Sequence, residues 1–330
     1  MLCRIVREQC EIAADGAITV KAPKKISSDS LQNPSDPDAT YSGHKGQGYQ
    51  VQVMETYNEH EGDRKDSAEL NLITHVAFEK ACQSDANALL PAVEQTFETD
   101  LAPQTLQADA LYGSDENSRE AEKLGVELVS PAMGAPKQGK TGLEDFRFRP
   151  DGHVQACPAG KEPAVRKKKK ARYSQGFETA LCRSCPHLKD CPVKKGHTHY
   201  FLRYDEKAMR LAKRRQHEKT QAFKDRYRWR AGVEATMSQY DRLTGVKRLR
   251  VRGLKAVGFA AVMKAVAVNI ARAVAAKRAR QRAAGPNPSP AVAFAGLFSI
   301  VKERCGAILR FFSGWISGRL KLHRTVQTPA

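Results

Sequence analysis

The sequence lacks an uninterrupted apolar run that could span a membrane, and it lacks a segment with the composition of a secretory signal. Residues 255–282 are rich in Ala and Val, but Lys264 and Arg272 interrupt them, and residues 291–316 are broken by charges in the same way. A membrane helix needs about 18 or more apolar residues, so both segments are predicted to be packed helices. Residues 2–12, LCRIVREQCEI, carry too many charges for the apolar part of a signal. We therefore expect a cytoplasmic protein with no membrane partner.

The eight cysteines do not form an evenly paired framework, which argues against a disulfide-stabilised secreted domain. Four of them are grouped by their spacing. Cys182 and Cys185 form a C-x2-C pair, Cys191 follows Cys185 with five residues between them, and Cys157 lies further upstream. This spacing is typical of a four-thiolate zinc site. Three histidines are alternative donors: His187, His197 and His199. We favour structural zinc over buried or free thiols, because a metal would stabilise a segment with few apolar residues.

The charge is divided unevenly along the 330 residues, whose formal total is +19. Residues 1–150 hold 15 Lys and Arg against 25 Asp and Glu, a charge of −10. Residues 151–330 hold the other 40 and 11, a charge of +29. A strongly basic second part points to a polyanionic partner, most simply nucleic acid. A ribosomal or membrane-surface protein would share the basic excess but not the acidic first part.

Apolar periodicity and turn residues predict an α/β fold for the first part of the chain. Strands are predicted at 17–21, 49–55 and 69–78. A helix to about residue 97, a strand at 105–108, a helix at 115–124 with Ser114 as its N-cap, and a strand at 126–130 follow. This order indicates an antiparallel start and parallel crossovers.

Four parts are predicted along the chain. Residues 1–131 form the α/β core. Residues 132–205 form an insertion rich in Cys and Lys, in which the regular pattern dissolves apart from a short strand at 146–150. Residues 206–283 form helices, among them one long helix that begins near residue 223 and a later helix that packs on the sheet. Residues 284–330 form a linker and a C-terminal helix.

Two groups of residues are candidates for phosphate chemistry. Asp109 follows a strand, and ligands gather at the carboxyl ends of strands in open α/β sheets. Tyr227, Arg230 and Glu234 are spaced i, i+3 and i+7, which places them on one helix face. Asp109 and Glu234 would together hold a divalent cation for phosphoryl transfer. The alternatives are that Asp109 caps the next turn and that Glu234 lies on a solvated, charged helix face.

These motifs together resemble the DDE-type insertion-sequence transposases of bacteria, over roughly residues 28–275. The resemblance is carried by DPDA at 36–39, HKGQGYQVQV at 44–53, ADALYGSDEN at 108–117 and the Tyr-x2-Arg-x3-Glu motif. It implies a ribonuclease-H-like α/β fold with a mixed sheet, here interrupted by the Cys/Lys-rich insertion and followed by an α-helical C-terminal extension. It also implies an Asp, Asp, Glu triad with Mg²⁺ or Mn²⁺. Such a triad cuts transposon terminal inverted repeats and joins the 3′ hydroxyl to target DNA, with homo-oligomers assembled on DNA in the nucleoid.

The resemblance assigns Asp109 as the second acid and Glu234 as the third. Tyr227 and Arg230 would place the transposon-end strand. The family has a basic residue after this glutamate. The equivalent position here is Asp241, which is acidic, and Arg242 lies one position later.

The first acid of the family lies on an opening strand that has no counterpart in this sequence. Asp15 belongs to a hairpin turn and Asp38 to a loop, so neither is a good replacement. We therefore expect a split or N-terminally truncated transposase that lacks one catalytic carboxylate and cleaves little or no DNA alone.

Basic residues outside the motifs are predicted to contact phosphates and to make DNA binding sensitive to salt. They are Arg242, Arg248, Arg250, Lys168 and Lys169, with a further stripe of Arg210, Lys213, Arg214 and Arg215. Nearby aromatic residues would stack on bases or, more commonly, pack in the core: Tyr173, Tyr200, Phe201 and Tyr204. Two other functions stay open, a non-catalytic zinc-stabilised DNA-binding protein derived from a transposase and a zinc-stabilised RNA-binding protein.

Overall fold

The computed structural model describes residues 1–57, 70–134 and 138–283, so the predicted linker and C-terminal helix at 284–330 lie outside the described residues. The described chain is a mixed α/β protein with several small sheets. The strands are β1 (Cys10–Ile12), β2 (Ile18–Val20), β3 (Thr40–Ser42), β4 (Gly46–Glu55), β5 (Ile73–Lys80), β6 (Thr105–Gln107), β7 (Glu127–Val129), β8 (Arg147–Phe148), β9 (Val154–Ala156), β10 (Val165–Lys169), β11 (Arg172–Glu178), β12 (Lys194–Lys195) and β13 (His199–Asp205). The helices are α1 (Leu2–Gln9), α2 (Leu89–Glu98), α3 (Asp115–Lys123), α4 (Thr179–Arg183), α5 (Glu206–Glu218), α6 (Gln221–Tyr227), α7 (Ala231–Thr244) and α8 (Leu254–Ala283).

The described residues divide into two compact units. Unit 1 contains those of Met1–Pro103 together with those from Ala231 onward, and unit 2 is Gln104–Arg230. The four-part division expected from the sequence, with boundaries at residues 131, 205 and 283, stays a prediction.

Unit 1 is built on the antiparallel strands β3, β4 and β5, against which α7 and α8 pack. Its apolar core joins Ile73 and Val76 of β5 to Tyr240 of α7 and to small residues of α8 such as Ala261 and Ala265. Small side chains let a helix approach a sheet closely, so the prediction that this part of the chain packs on the sheet is confirmed.

The helix α8 is long and apolar enough to cross a membrane by length and composition, with a mean hydropathy of 1.6 in its most apolar stretch. Its polar contacts are those of a core helix in unit 1. The buried amide of Asn269 donates to the carbonyl of Ile73 and accepts from the Ile73 N–H, both at 2.9 Å. Arg272 forms an ion pair with Glu55 of β4 at 3.0 Å. Such contacts tie the helix to strands β4 and β5.

Unit 2 begins with a parallel crossover. Strand β6 pairs with β7 in parallel register, Leu106 opposite Leu128, and α3 connects them. The side chain of Ser114 accepts a hydrogen bond from the Asn117 N–H at 3.0 Å and so caps α3. The predicted strands, helix and N-cap of this segment are confirmed.

The Cys- and Lys-rich part of unit 2 has regular structure, which corrects the prediction that the pattern dissolves there. Four antiparallel strands are ordered β10-β11-β13-β12, and β8 pairs with β9. Buried aromatic residues supply the core: Phe146, Tyr173, Phe177 and Tyr204. Tyr173 and Tyr204 stack on each other with ring centroids 5.1 Å apart, so packing, not base stacking, accounts for both. The apolar positions are too far apart in the chain to show a short periodicity.

Candidate functional site

Asp109 lies two residues beyond the end of β6, at the carboxyl end of a parallel strand as predicted. Its carboxylate accepts a hydrogen bond from the Ala110 N–H at 2.7 Å and caps the 3-10 turn Ala110–Tyr112. The side chain is still 47% exposed. The capping role weighed from the sequence is therefore present, and it leaves much of the carboxylate accessible.

The loop that carries Asp109 is fixed by Arg214 of α5. The Arg214 guanidinium donates to the carbonyl oxygens of Gly113 and Ser130, each at 3.0 Å, and to that of Ser114 at 3.3 Å. The Ser130 hydroxyl in turn donates to the Asp109 carbonyl at 2.8 Å. Sequence inspection gives no sign of this network, because α5 lies about a hundred residues after the loop.

The arginines of the basic stripe expected on α5 have acceptors within the protein. Arg210 makes a bidentate pair with the buried Asp115 carboxylate, at 2.8 and 2.7 Å, and this hydrogen-bonded pair holds the pKa of Asp115 below its ordinary value. Arg215 donates to the Gly134 carbonyl at 2.8 Å. With Arg214, these side chains hold the protein's own loops and carboxylates, so all three arginines have acceptors within unit 2. Phosphate contact by this stripe stays a prediction.

The segment that carries Tyr227 and Arg230 is held against the ends of β6 and β7. The Arg226 guanidinium pairs with both oxygens of Glu127 at 2.7 Å, and the Gln107 side-chain amide donates to the Arg226 carbonyl at 2.7 Å. The Tyr227 ring stacks on Phe223, with centroids 5.5 Å apart. These contacts place the start of the Tyr-x2-Arg-x3-Glu motif beside the strand that Asp109 follows.

Arg230 reaches Asp109. Its Nη2 lies 3.5 Å from the Asp109 Oδ2, with 25% of the Arg230 side chain exposed. Two motifs far apart in the chain thus meet in unit 2 as an accessible ion pair. Exposed pairs of this kind contribute little to stability, on the order of 0–1 kcal/mol.

The single long helix predicted from residue 223 is broken, and that prediction is wrong. Helix α6 ends at Tyr227, a 3-10 turn spans Arg228–Arg230, and α7 starts at Ala231. A 3-10 turn aligns residues i and i+3, and Glu234 lies in the first turn of α7, four residues after Arg230 in the chain. The Glu234 side chain is exposed.

Helix α7 is fixed in unit 1 by a buried polar group. The Thr236 hydroxyl donates to Glu55 Oε2, and Arg272 bonds to both Thr236 and Glu55. One turn later the buried Tyr240 hydroxyl donates to the Ala261 carbonyl of α8. Glu234 is therefore carried on a helix whose other face is tightly held.

The DPDA segment caps α8. The Asp36 carboxylate accepts from the Gly253 N–H at 3.1 Å and from the Tyr49 hydroxyl at 2.5 Å, and the Asp38 carboxylate accepts from the Leu254 N–H at 3.0 Å. Burial and the bond to Asp36 raise the pKa of Tyr49. Asp15 accepts from the Ala17 N–H in the β1–β2 hairpin turn. These structural bonds account for both aspartates that were weighed as a first acid.

The four cysteines of the predicted zinc set line one apolar cavity, together with Phe146, Phe177 and His187. All four are free thiols. Burial in this apolar setting raises the pKa of Cys182 to about 11 and also raises the pKa of Cys191. Within residues 1–57, 70–134 and 138–283, no group of three or more His, Cys, Asp or Glu is arranged so that it could hold a metal ion.

The basic residues predicted to bind DNA are exposed in both units. Lys168 and Lys169 lie on β10, and the Lys168 ammonium is 4.8 Å from the Tyr173 ring centroid and 3.0 Å from Glu206. Arg242 lies on α7, and Arg248 and Arg250 lie in the loop between α7 and α8. That loop contains no strand.

Comparison with known families is informative for the second part of the chain. Residues 156–274 match the sequence model of a family described as a transposase DDE domain. The match spans about a third of the chain and includes Tyr227, Arg230, Glu234 and the zinc-set cysteines, whereas Asp109 precedes it. It confirms the resemblance to DDE-type transposases and supports a transposase-type function with DNA as the substrate. No match was found among the curated proteins or among the solved structures.

Proposed function

We propose that this chain is a DNA transposase of the DDE class that acts on the ends of an insertion sequence. Asp109 and Glu234 are the two carboxylates that would hold Mg²⁺ or Mn²⁺, and Tyr227 and Arg230 place the transposon-end strand. The parallel crossover from β6 through α3 to β7 supports a ribonuclease-H-like core. Assembly of several copies on DNA belongs to the same proposal.

The observation that carries the proposal is the ion pair between Arg230 and Asp109. Charge and periodicity do not explain why a strand-end aspartate and the arginine of a distant motif should meet. A shared phosphate site does explain it, because a guanidinium beside a carboxylate can bind the DNA backbone while the carboxylate faces a cation.

The residues present fit a hard divalent cation in donor chemistry. Mg²⁺ prefers carboxylate oxygens and keeps several waters, and the half-exposed Asp109 carboxylate offers such a donor. When bound, the cation would activate water or a 3′ hydroxyl and offset charge on the phosphate. The Arg230 guanidinium would bind a non-bridging phosphate oxygen, and the Tyr227 phenol would contact the same strand.

Only two acids are assigned, and we propose that this limits catalysis. Two carboxylates bind and position a cation less well than three, so the purified chain is expected to nick transposon-end DNA slowly or not at all. Rapid metal-dependent nicking by the purified chain would contradict this part of the proposal.

The test of the site measures how a divalent cation changes DNA affinity, because that readout needs no turnover. Mn²⁺ should tighten binding of terminal-repeat DNA to the wild type by roughly tenfold, about 1.4 kcal/mol. Asp109→Asn and Glu234→Ala should each lose this gain while binding DNA without the cation at least as well as the wild type. Any residual nicking should also disappear in both variants.

The matched control is Glu120→Ala, which removes an acid that pairs with the neighbouring Lys123 on α3. It should keep the full effect of Mn²⁺. If Mn²⁺ does not tighten DNA binding by the wild type, the metal site is wrong. The alternative, a DNA-binding protein without catalysis, would then be favoured.

The exposed lysines of β10 are proposed to contact phosphates. Replacing Lys169 with alanine should weaken binding to all DNA sequences alike and lower the slope of log K against log salt by about 1. Fluorescence anisotropy at a series of salt concentrations measures both effects. Lys123→Ala, an exposed lysine that is paired with Glu120, should leave the slope unchanged. An unchanged slope in Lys169→Ala would remove β10 from the DNA interface.

A further inference from the structure

The four cysteines of the zinc set come from three separate pieces of unit 2. Cys157 follows β9, Cys182 and Cys185 lie in and just after α4, and Cys191 precedes β12. They meet at one cavity whose other lining is largely apolar. The thiol of Cys182 is near enough to the other three to interact with them electrostatically. Folding thus gathers the four sulfurs, which the sequence spacing alone could only suggest.

A backbone amide is directed at one of the sulfurs. The Lys161 N–H donates to Cys157 Sγ at 3.4 Å. This bond closes a tight turn in which Gly160, at φ +75°, donates to the Cys157 carbonyl at 2.8 Å. Neutral thiols are weak acceptors, whereas metal-bound thiolates are commonly oriented by such outer hydrogen bonds. The turn at Cys157 therefore suits a thiolate better than a buried thiol.

The charge around the cavity also suits a thiolate site. Four thiolates and one Zn²⁺ carry a net charge of −2. Near the cysteines in the chain, the basic residues outnumber the acids Glu162, Glu178 and Asp190; they are Lys161, Arg183, Lys189, Lys194 and Lys195. Among the described residues, no Asp or Glu lines the cavity. His187 does line it and is a substitute donor for one cysteine.

We propose that Cys157, Cys182, Cys185 and Cys191 bind one structural Zn²⁺, which ties β9, α4 and β12 to the four-stranded sheet of unit 2. Since the thiols are not yet arranged as metal ligands in the described residues, binding would draw the sulfurs toward the centre of the cavity. Each thiol would release its proton to solvent as it binds, with no change of oxidation state. Cys157, Cys182 and Cys191 pack against the aromatic core that supports β10, so the metal would also stabilise the basic strand.

The experiment measures zinc in the full chain purified under reducing conditions without added chelator. We expect about one zinc per chain in the wild type, consistent with a closed four-ligand site. Adding Co²⁺ to the chelator-stripped, reduced protein should give the absorption of a tetrahedral cobalt–thiolate centre. Cys185→Ser should lower metal affinity by at least about a hundredfold, more than the loss of an outer hydrogen bond would cause. Cys82→Ser, a cysteine of unit 1, should match the wild type.

Three results would overturn the proposal. The first is a wild-type protein that contains no zinc and also fails to bind Co²⁺ through thiolates. The second is a disulfide among the four cysteines in protein isolated with its thiols trapped. The third is a loss of metal in Cys82→Ser equal to that in Cys185→Ser. The wild-type measurements decide the matter even if Cys185→Ser does not fold. None of these results affects Asp109 or Glu234, so failure here is distinguishable from failure of the transposase proposal.

Discussion

Replacing Gly113 with alanine is expected to destabilise the protein by about 3 kcal/mol, the upper part of the range for overpacked sites. A Cβ at this position would lie 1.8 Å from the Pro131 carbonyl oxygen and 2.8 Å from the Ser130 hydroxyl oxygen. The nearest atom belongs to the backbone, so no side-chain rotation relieves the clash. The loop and the segment after β7 must separate, which would also break the bonds that Arg214 and Ser130 make to the Asp109 loop.

Denaturant unfolding followed by circular dichroism measures this loss, and Gly232→Ala is the matched control. Gly232 lies in α7, where an added Cβ meets nothing within 4 Å. Alanine is the better helix former by about 1 kcal/mol, so the control should be neutral or stabilising. A Gly113→Ala protein within about 0.5 kcal/mol of the wild type, the usual range for harmless substitutions, would show that the loop gives way easily.

The second large effect is expected from Arg272→Met. Arg272 and Glu55 are largely buried, with 12% and 9% of their side chains exposed. Methionine keeps the apolar stem but leaves the Glu55 carboxylate without its cation. Removal of one partner from a buried pair costs about 3–5 kcal/mol. The same change removes the bonds from Arg272 to Thr236 and Gln239, which hold α7 against α8.

The control for this effect is Arg278→Met, an exposed arginine two turns further along α8. Its cost should stay within about 0.5 kcal/mol. The double variant Arg272→Met, Glu55→Gln should recover part of the lost stability, because the uncompensated charge is then gone. Equal costs for the two arginines, measured by denaturant unfolding, would rule out a special role for the buried pair.

The two variants act on the elements that carry the proposed acids. Gly113 fixes the loop of Asp109 in unit 2, and Arg272 fixes α7, the helix of Glu234, in unit 1. Neither residue is assigned a direct role with metal or DNA. The residues that hold the two acids in place are thus different from the residues that would do the chemistry.

Local patterns in the sequence predicted much of the secondary structure around the site. Alternation at period two placed β4, the strand predicted at 69–78 overlaps β5, and the Ser114 cap placed the start of α3. The position of Asp109 after a strand was also correct. The prediction of one long helix from residue 223 failed because the helix periodicity of the sequence continues through Arg228–Arg230, where the backbone forms a 3-10 turn. Neither the periodicity nor the residue types distinguish the two helix forms at that point.

The cysteine and arginine assignments show what sequence patterns can and cannot predict. The spacing of Cys182, Cys185 and Cys191 suggested a common site, and the structure gathers these residues with Cys157 around one cavity. The density of arginine on α5 suggested phosphate binding, yet Arg210 and Arg214 bond to Asp115 and to the loop of Gly113. Charge density shows that cations are present but not which acceptor each one meets.

By itself, the sequence determined the mixed α/β class, the basic character of the second part and the motifs that resemble DDE transposases, because these depend on composition and on neighbours within a few residues. Only the tertiary structure decided that Arg230 meets Asp109, that Asp36 and Asp38 cap α8, and that Arg214 holds a loop. Such contacts join residues a hundred or more positions apart. They form where the packing of strands and helices brings the chain back on itself, and no local pattern contains that information.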